Sequence, residues 1–263
     1  MKRYQCVLIT GASSGIGARL SRCLSPHAEK IVLVARRKDR LEELAVELKS
    51  RFGTEAIVVA CDLSQEGAAE ALWAEVISYT GAAPDLVVNN AGAGFCGEAY
   101  EIPVDSEKAM LALNVTAPMV LCKLALKVMS ARRKGVIVNV ASMGAFQPGP
   151  YMAAYYASKA FVLSYTEAIA EEARAYGVRA IAVCPGYTDT DFHELAGTSR
   201  DGVLARVFRT SPSFVAASIA DAILHGYPDI VIPGTPNNLC VLFERFLPRR
   251  LVAHISGMLL KRH

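Results

Sequence analysis

Long apolar runs and a strong excess of one charge are both missing from this chain of 263 residues. No uninterrupted apolar stretch approaches the roughly 18 residues that suggest a membrane-spanning helix, so the sequence predicts none. The formal net charge is only +3, which argues against nucleic acid as a general partner. Hydrophobic residues make up 52% and charged residues 20%, so a large core is expected and disorder is not.

Paired cysteine motifs are also missing. The seven cysteines are odd in number and form no C-x-x-C pair; they are Cys6, Cys23, Cys61, Cys96, Cys122, Cys184 and Cys240. We therefore expect reduced, structural thiols in a cytoplasmic protein, and no metal site is predicted. The basic residues 1–3 and the apolar run after them superficially resemble a signal peptide. That run is too short and leads straight into Thr10-Gly11 without a cleavage site, so it predicts a first strand.

Short apolar runs alternate with longer segments of helical period. The predicted strands are 4–9, 30–35, 56–61, 85–89, 135–141, 178–184 and 229–232. The predicted helices are 16–24, 39–51, 67–79, 106–132, 155–176 and 214–224. Strands that are apolar throughout are typical of a sheet covered on both faces. The pattern predicts an α/β fold, a Rossmann-type doubly wound sheet of seven parallel strands in a single domain. The irregular stretch 185–212 is long enough to be a candidate lid.

A glycine-rich turn follows the first predicted strand with the spacing G-x-x-x-G-x-G. Glycines let the backbone approach a pyrophosphate, which then meets free N–H groups at the start of a helix. No Lys-Ser/Thr pair follows, which excludes a phosphate-binding P-loop, while an ordinary strand–helix turn stays an alternative. The residues of this turn predicted to bind the cofactor are Gly11, Ser13, Ser14, Gly15, Ile16 and Gly17.

Tyr155 lies four residues before Lys159, a spacing that puts both side chains on one face of a helix. A phenol with a pKa of about 10 is a poor base at neutral pH. One ammonium about 4 Å away, at an effective dielectric of about 20, supplies the roughly 4 kcal/mol that brings that pKa near 7. Tyr156 points about 100° further around the helix, so Tyr155 is the predicted proton-transfer residue. A hydroxyl from Ser142 can hold a substrate oxygen beside the phenol.

These motifs, together with Asn89-Asn90-Ala91-Gly92, stand in the order and at the spacing of one family. The chain resembles the short-chain dehydrogenase/reductase family over roughly residues 4 to 235, and in particular its 3-oxoacyl reductases and hydroxysteroid dehydrogenases. The resemblance implies that residues 1–235 form an NADP-binding catalytic domain and that 236–263 are a C-terminal helical extension. The catalytic residues that it implies are Asn114, Ser142, Tyr155 and Lys159. The further cofactor contacts that it implies are Asn89, Ala91, Gly92, Tyr155, Lys159, Pro185, Gly186, Thr188 and Thr190.

The residues after the second predicted strand bear on the choice of cofactor. An NAD site places an acidic residue there for the ribose 2′-hydroxyl, whereas an NADP site places Arg for the 2′-phosphate. Arg36 and Arg37 occupy this place, and Ser13 is a further phosphate donor, so NADP(H) is predicted. Asp62 matches the family position that contacts the adenine, although it could equally cap a turn.

The predicted function is an NADPH-dependent reductase, reversible to a dehydrogenase, that interconverts a carbonyl and a secondary alcohol. The alternative is a non-catalytic module that senses NADP(H), which would have no need of the Tyr-Lys pair. A hydrophobic substrate, such as an acyl chain, a steroid or a bulky ketone, is suggested by apolar residues near the expected pocket. These residues are Phe95, Met143, Phe146, Tyr151, Met152, Phe192 and Leu195.

The extension 236–263 has apolar residues near every fourth position with arginines between them, which predicts a basic amphipathic helix kinked at Pro248. Such a helix could pack on its own core or on a partner subunit, dock on an anionic membrane, or cover the substrate cleft. The apolar helices 106–132 and 155–176 match the family's dimerisation helices. We therefore expect a homodimer.

Overall fold

Seven parallel strands form the centre of the protein. The computed structural model describes residues 3–198, 208–226 and 229–261. Within them the strands are β1 Tyr4–Thr10, β2 Ala28–Ala35, β3 Glu55–Ala60, β4 Leu86–Asn89, β5 Gly135–Val140, β6 Val178–Val183 and β7 Ile230–Val231. Their order in the sheet is β3-β2-β1-β4-β5-β6-β7. The predicted fold class, a doubly wound parallel sheet, is confirmed.

Helices cover both faces of this sheet. They are α1 Gly15–Leu24, α2 Lys38–Phe52, α3 Ala68–Thr80, α4 Val104–Leu111, α5 Ala117–Arg132, α6 Ala153–Arg174, α7 Phe192–Ala196, α8 Pro212–His225, α9 Thr235–Glu244 and α10 Arg249–Leu260. Helices α1, α2 and α8 pack on one face, and α3, α5 and α6 on the other. Along β1 the fully buried side chains alternate between the two cores: Val7 and Ile9 enter the first and Leu8 the second. This two-sided burial explains why the strand sequences are apolar throughout.

The strand order reverses between β1 and β4, which pair with each other in parallel. The connections after these two strands leave in opposite directions, so a crevice opens above their carboxyl ends. The glycine-rich turn follows β1 at this crevice, and Asn90 follows β4. The topology therefore positions the candidate site before any side chain is considered.

The predicted helix 106–132 differs from the structure in two ways. It begins at Val104, and a π-helical turn, Ala112–Thr116, separates α4 from α5. In that turn the Ala117 N–H bonds to the Ala112 carbonyl, one residue further back than in an α-helix. The predicted strands 56–61, 135–141, 178–184 and 229–232 each end one residue earlier in the structure, so Cys61 and Cys184 lie just after β3 and β6 rather than inside them.

The helical segment Val104–Arg132 is long and apolar enough to cross a membrane by length and composition, and no other helix of the described ranges meets that test. Lys123 and Lys127 interrupt its apolar sequence, which is why no continuous run was found. One face of α5, with Leu121 and Met129, is buried against the sheet. A core helix is apolar for the same reason, and this packing explains the composition.

Two segments of the chain after β6 contribute residues to the crevice. The stretch 185–212, predicted as a candidate lid, contains the short helix α7, and its residues 199–207 lie outside the described residues. After β7, helices α9 and α10 return to the crevice, where residues of both line its cavity. The two helices are separated at Pro248, where a kink was predicted.

Candidate active site

A single large cavity of about 1710 Å³ occupies the crevice. Most of the predicted site residues line it, including Ser142, Tyr155 and Lys159. The lining also includes these predicted cofactor residues: Gly11, Ser13, Ser14, Gly15, Ile16, Arg36, Arg37, Asp62, Ala91, Gly92, Pro185, Gly186, Thr188 and Thr190. Three predicted residues, Gly17, Asn89 and Asn114, are not part of the lining but lie behind it.

The glycine-rich turn is built by close backbone contact. Gly11 has a φ of 67°, and a Cβ on it would lie 2.9 Å from the Cα of Ala91. A Cβ on Gly17 would lie 2.4 Å from the carbonyl oxygen of Gly11, so this glycine lets α1 pack against the turn. No side chain caps the start of α1. The first N–H groups of the helix are therefore free to meet a phosphate.

A polar network that the sequence did not reveal holds this turn to β4. The Thr10 hydroxyl accepts hydrogen bonds of 3.0 Å from the Asn90 and Ala91 N–H groups. The Asn90 side chain donates back to the carbonyls of Thr10 and Gly11, at 2.9 and 3.2 Å. Behind it, Asn89 donates to Asn139 at 2.7 Å. Polar residues at the ends of buried strands were the available signal.

Arg37 reaches from the start of α2 to both sides of the crevice. Its guanidinium donates to the hydroxyls of Ser13 and Ser14, at 3.2 and 2.7 Å. On the other side it forms an ion pair of 3.2 Å with Asp191, which also pairs with Arg40 at 3.2 Å. The pKa of Asp191 lies below its usual value, mainly because of the hydrogen bond from Arg37 and further because of Arg40. An anion-binding arginine is thus held by a carboxylate from the segment after β6.

Arg36 and Asp62 line the cavity beside this cluster. Asp62 accepts hydrogen bonds from the N–H and the hydroxyl of Ser64, at 3.1 and 2.7 Å. This is the turn-capping geometry that the sequence left open as an alternative. Asp62 thus caps the turn after β3 while it forms part of the cavity wall.

Tyr155 and Lys159 lie one turn apart on α6, as their spacing predicts. The Lys159 ammonium donates to the Val140 carbonyl at 2.9 Å, and its nitrogen lies 5.9 Å from the centre of the Tyr155 ring. Ser142 lies two residues after the end of β5 and hydrogen-bonds to the Tyr155 hydroxyl. The Ser142 hydroxyl also accepts from the Gly144 N–H at 3.1 Å, which fixes its position.

Burial sets the pKa values of this pair. It raises the pKa of Tyr155 to about 12, with the Ser142 hydrogen bond opposing it, and it lowers the pKa of Lys159 to about 8. In this structure removal from water is the larger effect on the phenol, so the pKa of Tyr155 lies above its ordinary value rather than near neutrality. At neutral pH the phenol therefore keeps its proton, which suits a proton donor.

Asn114 lies in the π-helical turn and is buried. Its side-chain oxygen accepts from the Ala93 N–H at 3.0 Å, and its amide donates to the Ala93 carbonyl at 2.9 Å and to Ser158 at 3.1 Å. The side chain of Asn114 is thus satisfied by hydrogen bonds inside the protein. The widened turn is the local signal of a specialised backbone at this position.

Tyr156 faces away from Lys159. A Cβ placed on Gly149 would lie 2.3 Å from its ring, so this glycine makes room for the tyrosine. Its hydroxyl hydrogen-bonds to Ser256 of α10. Helices α9 and α10, with the residues that join and follow them, contribute several further lining residues, which are Cys240, Phe243, Glu244, Leu247, Val252, Ile255, Met258, Leu259, Leu260 and Lys261.

Of the apolar residues predicted to line the pocket, Phe95, Met143, Met152, Phe192 and Leu195 do so. Phe146 and Tyr151 do not, so this part of the prediction is wrong. Phe146 packs into a small core cluster, and Tyr151 lies at a second, separate depression. Among the described residues no group of three His, Cys, Asp or Glu side chains could hold a metal ion.

The buried ammonium makes a prediction about stability. Lys159→Met removes a cation whose pKa falls from 10.5 to about 8 on folding. Below pH 8 the wild type bears the full cost of this burial. Between pH 8 and 10.5 the unfolded chain binds more protons than the folded one, so the wild type gains stability relative to the variant. Unfolding in denaturant at pH 7 and pH 10 measures this difference in the free energy of unfolding. A wild type that becomes less stable relative to Lys159→Met as pH rises would contradict a pKa lowered by burial.

Comparison with known proteins decides the family. Residues 5–200 match the model of the short chain dehydrogenase family. This chain is a short-chain dehydrogenase/reductase. The 2-(R)-hydroxypropyl-CoM dehydrogenase of Xanthobacter autotrophicus is 32% identical to it over 227 residues, which cover 82% of this chain and 88% of that protein.

Solved structures of other short-chain dehydrogenases agree over nearly the whole chain. A 7beta-hydroxysteroid dehydrogenase superposes with a TM-score of 0.85 at 26% identity, covering 97% of this chain and 98% of the other. A short-chain dehydrogenase from Sphingobium yanoikuyae in complex with NADPH gives a TM-score of 0.81 at 26% identity, covering 92% and 93%. The second neighbour agrees with the cofactor predicted from the sequence, NADP(H).

Proposed function

We propose that this short-chain dehydrogenase is an NADPH-dependent reductase, reversible to a dehydrogenase, that interconverts a carbonyl and a secondary alcohol on a hydrophobic substrate. The observation that carries the proposal is the group of Ser142, Tyr155 and Lys159 in the same cavity as the glycine-rich turn. When bound, NADPH supplies the hydride. Ser142 and Tyr155 hydrogen-bond the carbonyl oxygen, and Tyr155 donates the proton that completes the alcohol.

Two positioning roles complete this account. Lys159, fixed by the Val140 carbonyl, places its ammonium beside the Tyr155 ring and favours the phenolate that remains after proton donation. Asn114 would act through its main chain, because its side chain is fully used by Ala93 and Ser158. There its carbonyl would hold a water that relays a replacement proton.

The proposed cofactor is NADP(H) rather than NAD(H). No acidic residue follows β2; Arg36 and Arg37 stand there, and Arg37 is hydrogen-bonded to Ser13 of the glycine-rich turn. A neighbouring structure with NADPH bound supports the choice. The pyrophosphate would lie against the glycine-rich turn, the 2′-phosphate between the arginines, and the nicotinamide end against the segment from Pro185 to Thr190.

A hydrophobic substrate is supported by the apolar wall of the cavity beside Tyr155. Phe95, Met152 and Phe192 line this part, and the Phe192 ring lies 5.2 Å from the Tyr155 ring. The similarity to a 7beta-hydroxysteroid dehydrogenase supports a hydrophobic substrate as well. Helices α9 and α10, the proposed extension to a catalytic domain of residues 1–235, would cover that substrate.

The alternative function is a module that senses NADP(H) without catalysis. A sensor needs the cofactor cleft but no proton donor and no buried lysine, and this chain has both. Assaying a panel of bulky ketones and 3-oxoacyl thioesters with NADPH tests the choice. We expect turnover on at least one class. Tight NADPH binding with no turnover on any member would favour the sensor.

We further propose a cytoplasmic protein without membrane contact. None of the seven cysteines forms a disulfide, as expected in a reducing compartment. Docking of the C-terminal helices on a membrane is not supported. Of the apolar residues in this extension, Phe243, Leu247, Ile255 and Leu259 line the cavity, which favours the covering role.

The proposed assembly is a homodimer that forms through the helices around the catalytic residues. On helices α4 and α6, Met110, Val162 and Leu163 are buried inside this chain, so their side chains are not available to an interface. Leu111 and Phe161 remain exposed on the two helices. Light scattering at micromolar concentration is expected to give twice the mass of the chain, and Phe161→Glu a larger monomer fraction. A monomeric wild type would contradict the proposal.

A further inference from the structure

The last residue of α9 places a carboxyl group without a full set of partners in the cavity. The Glu244 Oε2 atom is buried and has no hydrogen-bond partner among the described residues. The Oε1 atom receives only a weak contact of 3.5 Å from the Cys240 thiol. Buried carboxyl oxygens are nearly always hydrogen-bonded, because leaving one unpaired costs free energy. An orphan acceptor on a cavity wall indicates that its partner comes with the molecule that fills the cavity.

The cavity-lining residues that lie closest to Glu244 in the sequence are apolar. Phe243 and Leu247 flank it on the chain and also line the cavity. Burial raises the pKa of the Glu244 carboxyl, and only the Cys240 thiol opposes that shift. The carboxyl is therefore a polar point in a hydrophobic wall, the arrangement by which binding sites fix the orientation of an apolar ligand.

Glu244 lies on the substrate side of the proposed catalytic centre. Burial raises the pKa of Tyr156 and a negative charge on the Glu244 carboxyl adds to that shift, while the Tyr156 hydroxyl hydrogen-bonds to Ser256 in α10. The Tyr156 ring in turn stands edge-on to the Tyr155 ring, with centres 5.9 Å apart. Tyr155, Tyr156 and Glu244 line the same cavity, so one extended substrate can contact both the proton donor and Glu244.

We propose that Glu244 is a specificity-determining residue that accepts a hydrogen bond from a hydroxyl or amine group on the far end of an otherwise apolar ketone substrate. This inference rests on the proposed reductase function and names its substrate class. It is distinct from that function, since a reductase of purely apolar ketones would need no acceptor at this position.

The test compares matched substrates in a series of increasing chain length. Each pair is an ω-hydroxy ketone and its methyl ether, which differ only in the hydrogen-bond donor. The readout is the ratio of their kcat/KM values with NADPH. For the best chain length we expect the wild type to favour the hydroxy ketone by about tenfold or more, since an unpaired buried acceptor discriminates strongly.

Three variants make the comparison specific. Glu244→Leu is expected to bring the ratio to about one and to raise kcat/KM for the ether, a gain that misfolding cannot produce. Glu244→Gln keeps an acceptor and should keep part of the preference. Glu70→Leu changes an exposed glutamate on α3 and should leave the ratio unchanged.

Two results would overturn the inference in different ways. Equal efficiency on both members of every pair, unchanged in Glu244→Leu, would remove the role of Glu244 and leave the reductase function standing. A wild type that binds NADPH but reduces no ketone would remove the function, and the inference with it.

Discussion

Tyr155→Phe is expected to lower kcat by about 10²- to 10⁴-fold, the usual contribution of a general acid, while the Kd for NADPH stays nearly unchanged. The substitution keeps the ring that packs against Phe192 and removes only the hydroxyl. Because burial holds the pKa of Tyr155 at about 12, the hydroxyl carries a proton throughout the neutral range. Loss of that proton source should therefore appear in turnover and not in cofactor binding.

Tyr156→Phe is the matched control. It removes a hydroxyl from the next residue of the same helix, one that bonds to Ser256 and not to the proposed centre. Turnover is expected to persist, with any change confined to KM. Steady-state kinetics and NADPH fluorescence on the two variants measure both quantities. An inactive Tyr156→Phe beside an active Tyr155→Phe would reverse the assignment of the proton donor.

The second large effect concerns the choice of cofactor. We expect the wild type to favour NADPH over NADH by about 1–3 kcal/mol, the range of charge-assisted hydrogen bonds to one phosphate. Arg36→Asp is expected to remove or reverse this preference, because a carboxylate there repels the 2′-phosphate and accepts from a ribose hydroxyl instead. Equal catalytic efficiency of the wild type with both cofactors would contradict the proposed specificity.

A second variant, expected to strengthen NADPH binding rather than weaken it, makes this test more specific. Asp191 now pairs with Arg37, so a 2′-phosphate has to compete with its carboxylate. Asp191→Asn is expected to tighten NADPH binding several-fold and to leave NADH binding unchanged. Asp229→Asn is the control, because that carboxylate pairs with Arg174 at 3.2 Å and neither residue lines the cavity. Equal tightening for both cofactors in Asp191→Asn would show that the ion pair does not act through the phosphate.

The strands and the central spacing of the site could be predicted from the sequence, for physical reasons. Strands covered on both faces must be apolar along their length, so β1 and β5 stand out as continuous runs. The Tyr155–Lys159 pair follows from helical geometry alone, since residues four apart share a face. The glycine-rich turn is equally local, because Gly11 and Gly17 are required by backbone contacts that no other residue allows.

What could not be predicted depends on contacts distant in sequence or on burial. The π-helical turn at Asn114 adds one residue to a helix whose apolar pattern continues through it. The ion pair of Arg37 and Asp191 joins residues 154 positions apart. The pKa of Tyr155 is set first by removal from water, which the spacing to Lys159 does not reveal. The amphipathic pattern of α10 predicts that its apolar face contacts another surface. Only the folded chain shows that this helix lines the cavity.

Transfer of deuterium from labelled NADPH is the most direct test of the central claim, that this cavity reduces a carbonyl with Tyr155 as proton donor. The wild type is incubated with NADPH deuterated at nicotinamide C4, on the face that is transferred, and with each member of the ketone panel. Mass spectrometry of the alcohol is expected to show one deuterium on the carbinol carbon, and Tyr155→Phe is expected to give almost none. Bound NADPH that delivers no deuterium to any member of the panel would contradict the claim.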